Sequence, residues 1–335
     1  MITERLHQRE SALQHFRKTQ MYCYHKIFAL LYFTAILSSG CTYEVAVPES
    51  AGNNIIVVVI DGPRYTETWG ELTQQHIPYQ AGILKPRGAF FTHFINDSIT
   101  YTTAGHDQLL TGVKESIENT GLQLPGFPSF FQYWLKQTGA SKNDAWIITS
   151  KDKLEVLADC NDDAFHQQYN PSTDCGVAGL TTGYREDTIT LNHTLQLMKQ
   201  YHPRLVLIEF REPDYSAHKN DWEGYISGIQ QTDGYIKVID EFLQSDSFYS
   251  GTTDLIITND HGRHSEGWKN GFISHGDSCE GCRHISLLAA GPHFNAQQVV
   301  TDTFNLCDLN ATINYLLAIN NPYSQGEVMH IALKK

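Results

Sequence analysis

Residues 55–62 read IIVVVIDG: six consecutive β-branched apolar side chains, then a carboxylate and a glycine. A run this short and uniformly apolar, closed by turn residues, is the pattern of a strand buried on both faces, as in a parallel sheet covered by helices. Similar runs recur downstream, predicting strands at Ile55–Ile60, Ala145–Thr149, Leu205–Phe210, Asp254–Thr258 and Ile285–Ala290. Helix-period segments alternate with them at Pro128–Gln137, Glu186–Tyr201, Trp222–Gln244 and Leu306–Ala318. That alternation predicts an α/β fold, a doubly wound, mostly parallel sheet with helices on both faces. Along the third helix, Trp222, Tyr225, Ile226, Ile229, Ile236, Ile239 and Leu243 form one apolar stripe, expected to face the core.

The chain has 335 residues, 41% hydrophobic and 18% charged, which is ordinary for a globular protein. Its formal charge of −13 and the lack of a long basic run argue against nucleic-acid binding, which needs clustered Lys and Arg. An anionic substrate would therefore depend on local positive charge from metal ions. No Pro/Ser/Gly-rich linker divides the chain, so a single catalytic domain is expected over residues 45–335, with a polar loop or cap at 159–183.

Residues 1–41 differ in character. Arg17, Lys18 and Lys26 precede the apolar run IFALLYFTAIL, which ends in SSGC, the pattern of an export signal too short to be a permanent span. Cys41 stands where a bacterial lipoprotein would be cleaved and acylated, although Ser38 replaces the usual leucine three residues earlier. The expectation is a periplasmic protein or one tethered to the membrane through a lipidated Cys41. Beyond it lie Cys160, Cys175, Cys279, Cys282 and Cys307. An exported protein admits disulfides, and Cys160–Cys175 is the first pairing expected. Cys279 and Cys282 have three fates open: a tight disulfide, free thiols, or a separate zinc site shared with His275 and His284.

In open α/β sheets, ligands bind beyond the carboxyl ends of the strands. Metal-type side chains stand at several such exits: Asp61 after IIVVVI, Asp214 and His218 in LVLIEFREPDYSAH, Asp260 and His261 in TNDHGRH, and His275 in GFISHGD. A lone aspartate after a buried strand is ordinarily a turn or cap residue. Three in equivalent places, two with a histidine nearby, outline a dinuclear hydrolase. Asp214 and His218 are four apart and share one helical face if a helix starts at Pro213. Thr102 and Thr103 stand at an expected helix start, where a hydroxyl is either an N-cap or, beside a dication, an activated nucleophile.

These segments together resemble the alkaline phosphatase superfamily, nearest its type I phosphodiesterase/nucleotide pyrophosphatase branch, over about Ile55 to Phe294. IDGPR is similar to that branch's D-G-F-R segment, TTAGHDQLLTG to T-F-P-N-H-Y-x-x-x-T-G, EPDYSAHK to E-P-D-x-x-G-H-K, and TNDHG to S-D-H-G. The resemblance implies Thr102 as nucleophile, since it precedes His106 by four residues and Gly112 by ten. It also implies two divalent metal ions, zinc or alternatively manganese. Asp61, Thr102, Asp260 and His261 would hold one, and Asp214, His218 and a late histidine the other. Of the two candidates for that histidine, the spacing and the following glycine favour His275 over His284, which is expected to enter a strand. CEGC, between them, departs from the family pattern. His106 and His264 lie near the motifs without a defined role.

The implied reaction is phosphoric ester hydrolysis through a phosphothreonine, on a small-molecule or lipid-linked substrate. Sulfatases share the fold but make their nucleophile within C/S-x-P-x-R, where this chain has TTAGH. Phosphoethanolamine transferases use threonine but usually carry several membrane spans. A phosphodiester is favoured over a monoester because no arginine lies near Thr102 in the sequence, leaving Arg64, Lys151 and Lys153 as unassigned cations. The remaining alternative is a non-catalytic, metal-stabilised binding protein of the envelope.

Overall fold

The computed structural model describes residues 54–335. The segment expected to direct export, residues 1–41 with Lys26 and Cys41, lies outside the described residues. Within them, the predicted alternation becomes one eight-stranded sheet: β1 (Asn54–Ile60), β2 (Gly88–Ile95), β3 (Ala145–Thr149), β4 (Ser172–Cys175), β5 (Leu205–Phe210), β6 (Thr253–Asn259), β7 (His284–Ala290) and β8 (Gln298–Asn305). The order is β4-β3-β5-β1-β6-β7-β2-β8. β7 alone runs against its neighbours β6 and β2, while β4, β3, β5, β1 and β6 are mutually parallel and so end at one edge.

β1, apolar from Ile55 to Ile60, is central, hydrogen-bonded to β5 and β6, and all seven of its residues are buried. Its alternate side chains serve two cores. Ile55, Val57 and Val59 pack with α1 (Thr102–Thr111), α2 (Phe130–Thr138) and α7 (Leu306–Leu316) through residues such as Leu109, Phe131 and Leu309. Ile56, Val58 and Ile60 face α3 (Asp187–Tyr201) and α5 (Trp222–Ser245) through Leu191, Ile229 and Ile236. Each such Ile or Val contributes roughly 1.5–3 kcal/mol on burial. A charge at Val57 would break both the core and the central strand.

Local chemistry fixes the helix ends. Ser129 and Asn305 close capping boxes at the starts of α2 and α7, and Gly139 ends α2 in the left-handed conformation. Two short helices, α4 (Asp214–His218) and α6 (Glu280–Arg283), sit near the carboxyl edge.

Several expectations need correction. The stripe on α5 buries Tyr225, Ile229, Ile236, Ile239 and Leu243, but Trp222 is 43% exposed. At the helix's first residue it lies outside the core, with its ring edge against Phe272 and the Arg64 guanidinium 5.7 Å away. The 159–183 segment is not wholly loop, since residues 172–175 pair with β3 as the edge strand β4. Cys160 and Cys175 are both buried free thiols: Cys160 packs with Tyr133 and Phe165, whereas Cys175 belongs to the main core. No helix among the described residues is long and apolar enough to cross a membrane.

Candidate metal centre

The parallel strands deliver their first loop residues to one place. Asp61 follows β1, Lys151 lies two residues past β3, Asp214 four past β5, and Asp260 and His261 directly follow β6. All five residues are at most 3% exposed. Thr102 begins α1, which crosses this edge so closely that a Cβ on Gly105 would meet the Asp260 carbonyl oxygen at 2.4 Å. Gly62 carries a comparable constraint: its φ is +64°, and a Cβ there would lie 3.0–3.1 Å from His261 and Asp214.

Two donor sets result. His261 Nε2 lies 3.4 Å from Asp61 Oδ1, 3.4 Å from Asp260 Oδ2 and 3.5 Å from Thr102 Oγ1. His218 Nε2 lies 3.2 Å from Asp214 Oδ1 and 3.1 Å from His275 Nε2, which is itself 3.4 Å from Asp214 Oδ1. Donors bound to one tetrahedral ion at 2.0–2.2 Å stand roughly 3.3–3.6 Å apart, so both spacings suit a divalent cation. Asp61 and Asp260 add a second sign: Oδ1 of Asp61 and Oδ2 of Asp260 are buried and accept no hydrogen bond. Such orphaned acceptors are costly unless a cation meets them. The residues therefore fit a pair of metal ions.

The histidines are oriented for this. His261 Nδ1 is held by the Gly262 carbonyl at 2.9 Å and His275 Nδ1 by the Thr100 carbonyl at 2.8 Å, which leaves Nε2 of each ring facing the centre. The two rings stack at 3.7 Å. His284 lies elsewhere, starting β7 with its ring on Tyr65 and Nε2 against the Thr92 carbonyl. Thr103 also turns away, its hydroxyl and amide both donating to Asn119 Oδ1. His106 Nδ1 takes the Thr102 carbonyl at 2.9 Å and stands 3.5 Å from Asp260 Oδ2.

Two cations at the centre were not assigned from sequence. Lys151 Nζ is 2.6 Å from Asp61 Oδ2 and 2.6 Å from Asp214 Oδ2, and 3.4 Å from Thr102 Oγ1. It thus ties the two donor sets together through carboxylate oxygens that do not face the histidines. Arg263, fully buried, hydrogen-bonds Asp214 Oδ1 and the carbonyls of Phe272 and Ile273. Arg64, by contrast, is committed to Glu67 and Glu266. Of the cations left unassigned from sequence, Lys151 is the one that stands beside Thr102, although it is 49 residues away along the chain.

These neighbours separate the carboxyl groups electrostatically. Burial raises Asp214, but Lys151 and Arg263, aided by hydrogen bonds from His218 and His275, outweigh it and hold that carboxyl well below the usual range. Asp61 is pushed up by burial and by Asp214, and Asp260 well up by burial and by Asp61. Burial opposes the Lys151 charge, yet Asp214, Asp61 and Glu209 keep it firmly protonated. Lys153 is lowered to about 8 by burial and by Lys151. Burial and the His275 ring keep His261 neutral, the form that ligates metal.

A family profile described as "Metalloenzyme superfamily" matches residues 136–321, more than half of the chain. No curated protein sequence matches it. Among solved structures, the murine ectonucleotide pyrophosphatase / phosphodiesterase 5 superposes with a TM-score of 0.61 at 15% identity, covering 84% of this chain and 100% of that one. The phosphonate monoester hydrolase SpPMH from Silicibacter pomeroyi gives 0.57 at 13% identity, over 83% and 76% of the two chains. The sulfatase PsFucS1 from Pseudoalteromonas sp. gives 0.59 at 13%, over 83% and 71%. At these identities the likeness is one of fold, and the profile match carries the assignment: the chain belongs to the Metalloenzyme superfamily of alkaline-phosphatase-like hydrolases.

Proposed function

We propose that the chain hydrolyses phosphoric esters, diesters by preference, through a phosphothreonine at Thr102. The observation that carries this reading is the position of the Thr102 hydroxyl: buried, in the first turn of α1, 3.5 Å from His261 Nε2 and beside orphaned carboxylate oxygens. Asp61, Thr102, Asp260 and His261 would hold one divalent ion and Asp214, His218 and His275 the other, a nitrogen–oxygen donor set that suits zinc, with manganese the alternative. Bound ions would lower the pKa of the Thr102 hydroxyl and neutralise charge on the phosphoryl group.

Thr102 Oγ1 would then attack phosphorus in line with the departing alcohol, forming the Thr–O–P bond as the ester P–O bond breaks. Water would displace Thr102 in a second in-line step, giving overall retention at phosphorus. The α1 amino terminus offers a favourable dipole to the phosphoryl oxygens. Lys151 Nζ, 3.4 Å from Oγ1, would hold the nucleophile in place. Its charge is already shared between Asp61 and Asp214. Little positive charge is left for the second negative charge of a monoester, which supports the diester preference. The murine protein of similar fold is named a pyrophosphatase / phosphodiesterase, and its variant with a threonine replaced by alanine is described as inactive. We further propose export to the bacterial envelope, with Cys41 as a lipid tether.

The test compares bis-nitrophenyl phosphate, nitrophenyl phosphate and nitrophenyl sulfate on metal-loaded protein. The diester should turn over fastest and the sulfate slowest. Thr102→Ala should lower kcat by at least about 10³-fold, as removal of a covalent nucleophile does, while Asp214, His218 and His275 still bind metal. An unaffected Thr102→Ala removes the nucleophile, and sulfate as the best substrate removes the phosphoester reading. Metal-loaded protein inert to all three would favour a binding protein.

A further inference from the structure

A second group of metal-type donors lies outside this centre. A ring nitrogen of His264, a carboxylate oxygen of Asp277 and the Sγ atoms of Cys279 and Cys282 all lie within 4.8 Å of one another. We propose that these four residues form a structural site for a thiophilic divalent cation, zinc by its chemistry, separate from the two ions of the proposed reaction.

Three observations support it. First, the ligand atoms come from two segments, His264 after β6 and the 277–282 turn before β7, giving the two sulfurs, one nitrogen and one oxygen that a closed tetrahedral zinc site accepts. Second, His264 is only 2% exposed, yet its Nε2 has no hydrogen-bond partner and stands 3.2 Å from Asp277 Oδ2. Its Nδ1 meets Ser274 Oγ at 3.0 Å, the arrangement that orients a metal-ligating imidazole through its other nitrogen. Third, Cys279 and Cys282 are free thiols, and Cys282 is fully buried.

The two segments are already in backbone contact. Gly262 N donates to the Cys282 carbonyl at 2.8 Å and His264 N to the Ser274 carbonyl at 3.1 Å. A Cβ on Gly281 would strike the Arg263 carbonyl oxygen at 2.4 Å, so the CEGC turn can lie this close only with glycine there. Asp277 Oδ1 caps Cys279 N at 2.9 Å, while Lys269 Nζ lies 2.5 Å from Oδ2 and, being half exposed, is free to yield that oxygen to a cation. A metal at this point would clamp the loop carrying His261 to the loop carrying His275. The zinc partners weighed from sequence, His275 and His284, are thereby replaced by His264 and Asp277.

Cobalt(II) is the probe. Added to metal-free full-length protein, it should give a near-ultraviolet thiolate-to-cobalt charge-transfer band saturating at one equivalent per chain. The band should persist in Asp61→Asn/Asp260→Asn, which removes both carboxylates from one of the two proposed catalytic ions, and vanish in Cys279→Ser/Cys282→Ser. Because that double variant risks misfolding, wild-type protein provides a second readout. Alkylation of Cys279 and Cys282, followed by mass spectrometry, should slow at least tenfold with zinc and recover with chelator. Absence of the band, alkylation indifferent to zinc, or a Cys279–Cys282 disulfide in the native protein would each overturn the site. Loss of the band in Asp61→Asn/Asp260→Asn with both thiols still reactive would also overturn it.

Discussion

Strand β6 is bracketed by two buried aspartates whose surroundings differ. Asp254, near its start, is closed: Oδ1 accepts from His293 N at 3.2 Å and Oδ2 lies 2.5 Å from His293 Nδ1. Asp260, just past its end, gives Oδ1 to the amides of Gly62 and His261, at 3.2 and 2.9 Å, and leaves Oδ2 without a donor. The same contrast separates Asp61 from Asp233 on α5, which accepts from Tyr79 N, Gln80 N and Gln80 Nε2 at 2.8–3.1 Å. Asp233 in the outer layer and Asp254 at the amino edge of the sheet are saturated by the protein. Asp61 Oδ1 and Asp260 Oδ2, at the carboxyl edge, are not, and the stability they forgo is recovered only when something outside the chain binds there.

The largest test of this contrast is Asp260→Asn. Asparagine keeps the oxygen that serves Gly62 and His261 and replaces the orphaned oxygen by an amide. Activity should fall by more than about 100-fold, beyond the 10–100-fold typical of losing an outer partner of a metal ligand. Measured in chelator, the melting temperature should hold or rise, because a buried carboxylate repelled by Asp61 has been removed. A large drop in that melting temperature would mean that Asp260 is a structural residue like Asp233.

Asp233→Ala should behave in the opposite way. It strands the amides of Tyr79 and Gln80 where α5 packs on residues 77–87, at about 1–3 kcal/mol per buried donor. Urea denaturation should show the loss, while kcat of the metal-loaded protein stays unchanged. A fall in kcat with stability intact would break the division between the two regions.

The same contrast explains what the sequence could disclose. Strands β1, β3, β5, β6 and β7 were legible because interior strands are continuous apolar runs. β4 (STDC) and β8 (QVVTDTFN) lie at the sheet edges, where exposed positions dilute the pattern, and β2 is interrupted by the half-buried Thr92 and the exposed His93. Asp61, Asp214, Asp260 and His261 were legible because each follows a strand closely. Lys151 and Arg263 were not, since their role is to offset charges 63 and 49 residues distant that become neighbours only in the folded chain. Asp277 and His264 were missed for a similar reason: CEGC points to metal, but its partners arrive across a loop.

The smallest effect belongs to the closed end of β6. The Asp254 carboxylate raises the pKa of His293 above its ordinary 6.5, more than offsetting partial burial of the ring. Folding therefore draws a proton onto His293 at pH values between 6.5 and the higher folded value. The ion pair's contribution is fully present below pH 6.5 and fades as pH rises through the folded pKa. His293→Gln should accordingly cost more stability at about pH 5.5 than at about pH 8.5, by about 1 kcal/mol or less for a partly solvated pair. Equilibrium denaturation of both proteins at the two pH values measures this directly. A cost that grows with pH instead would mean that the neutral ring is what Asp254 holds, and that even the closed end of the strand carries an unpaired charge.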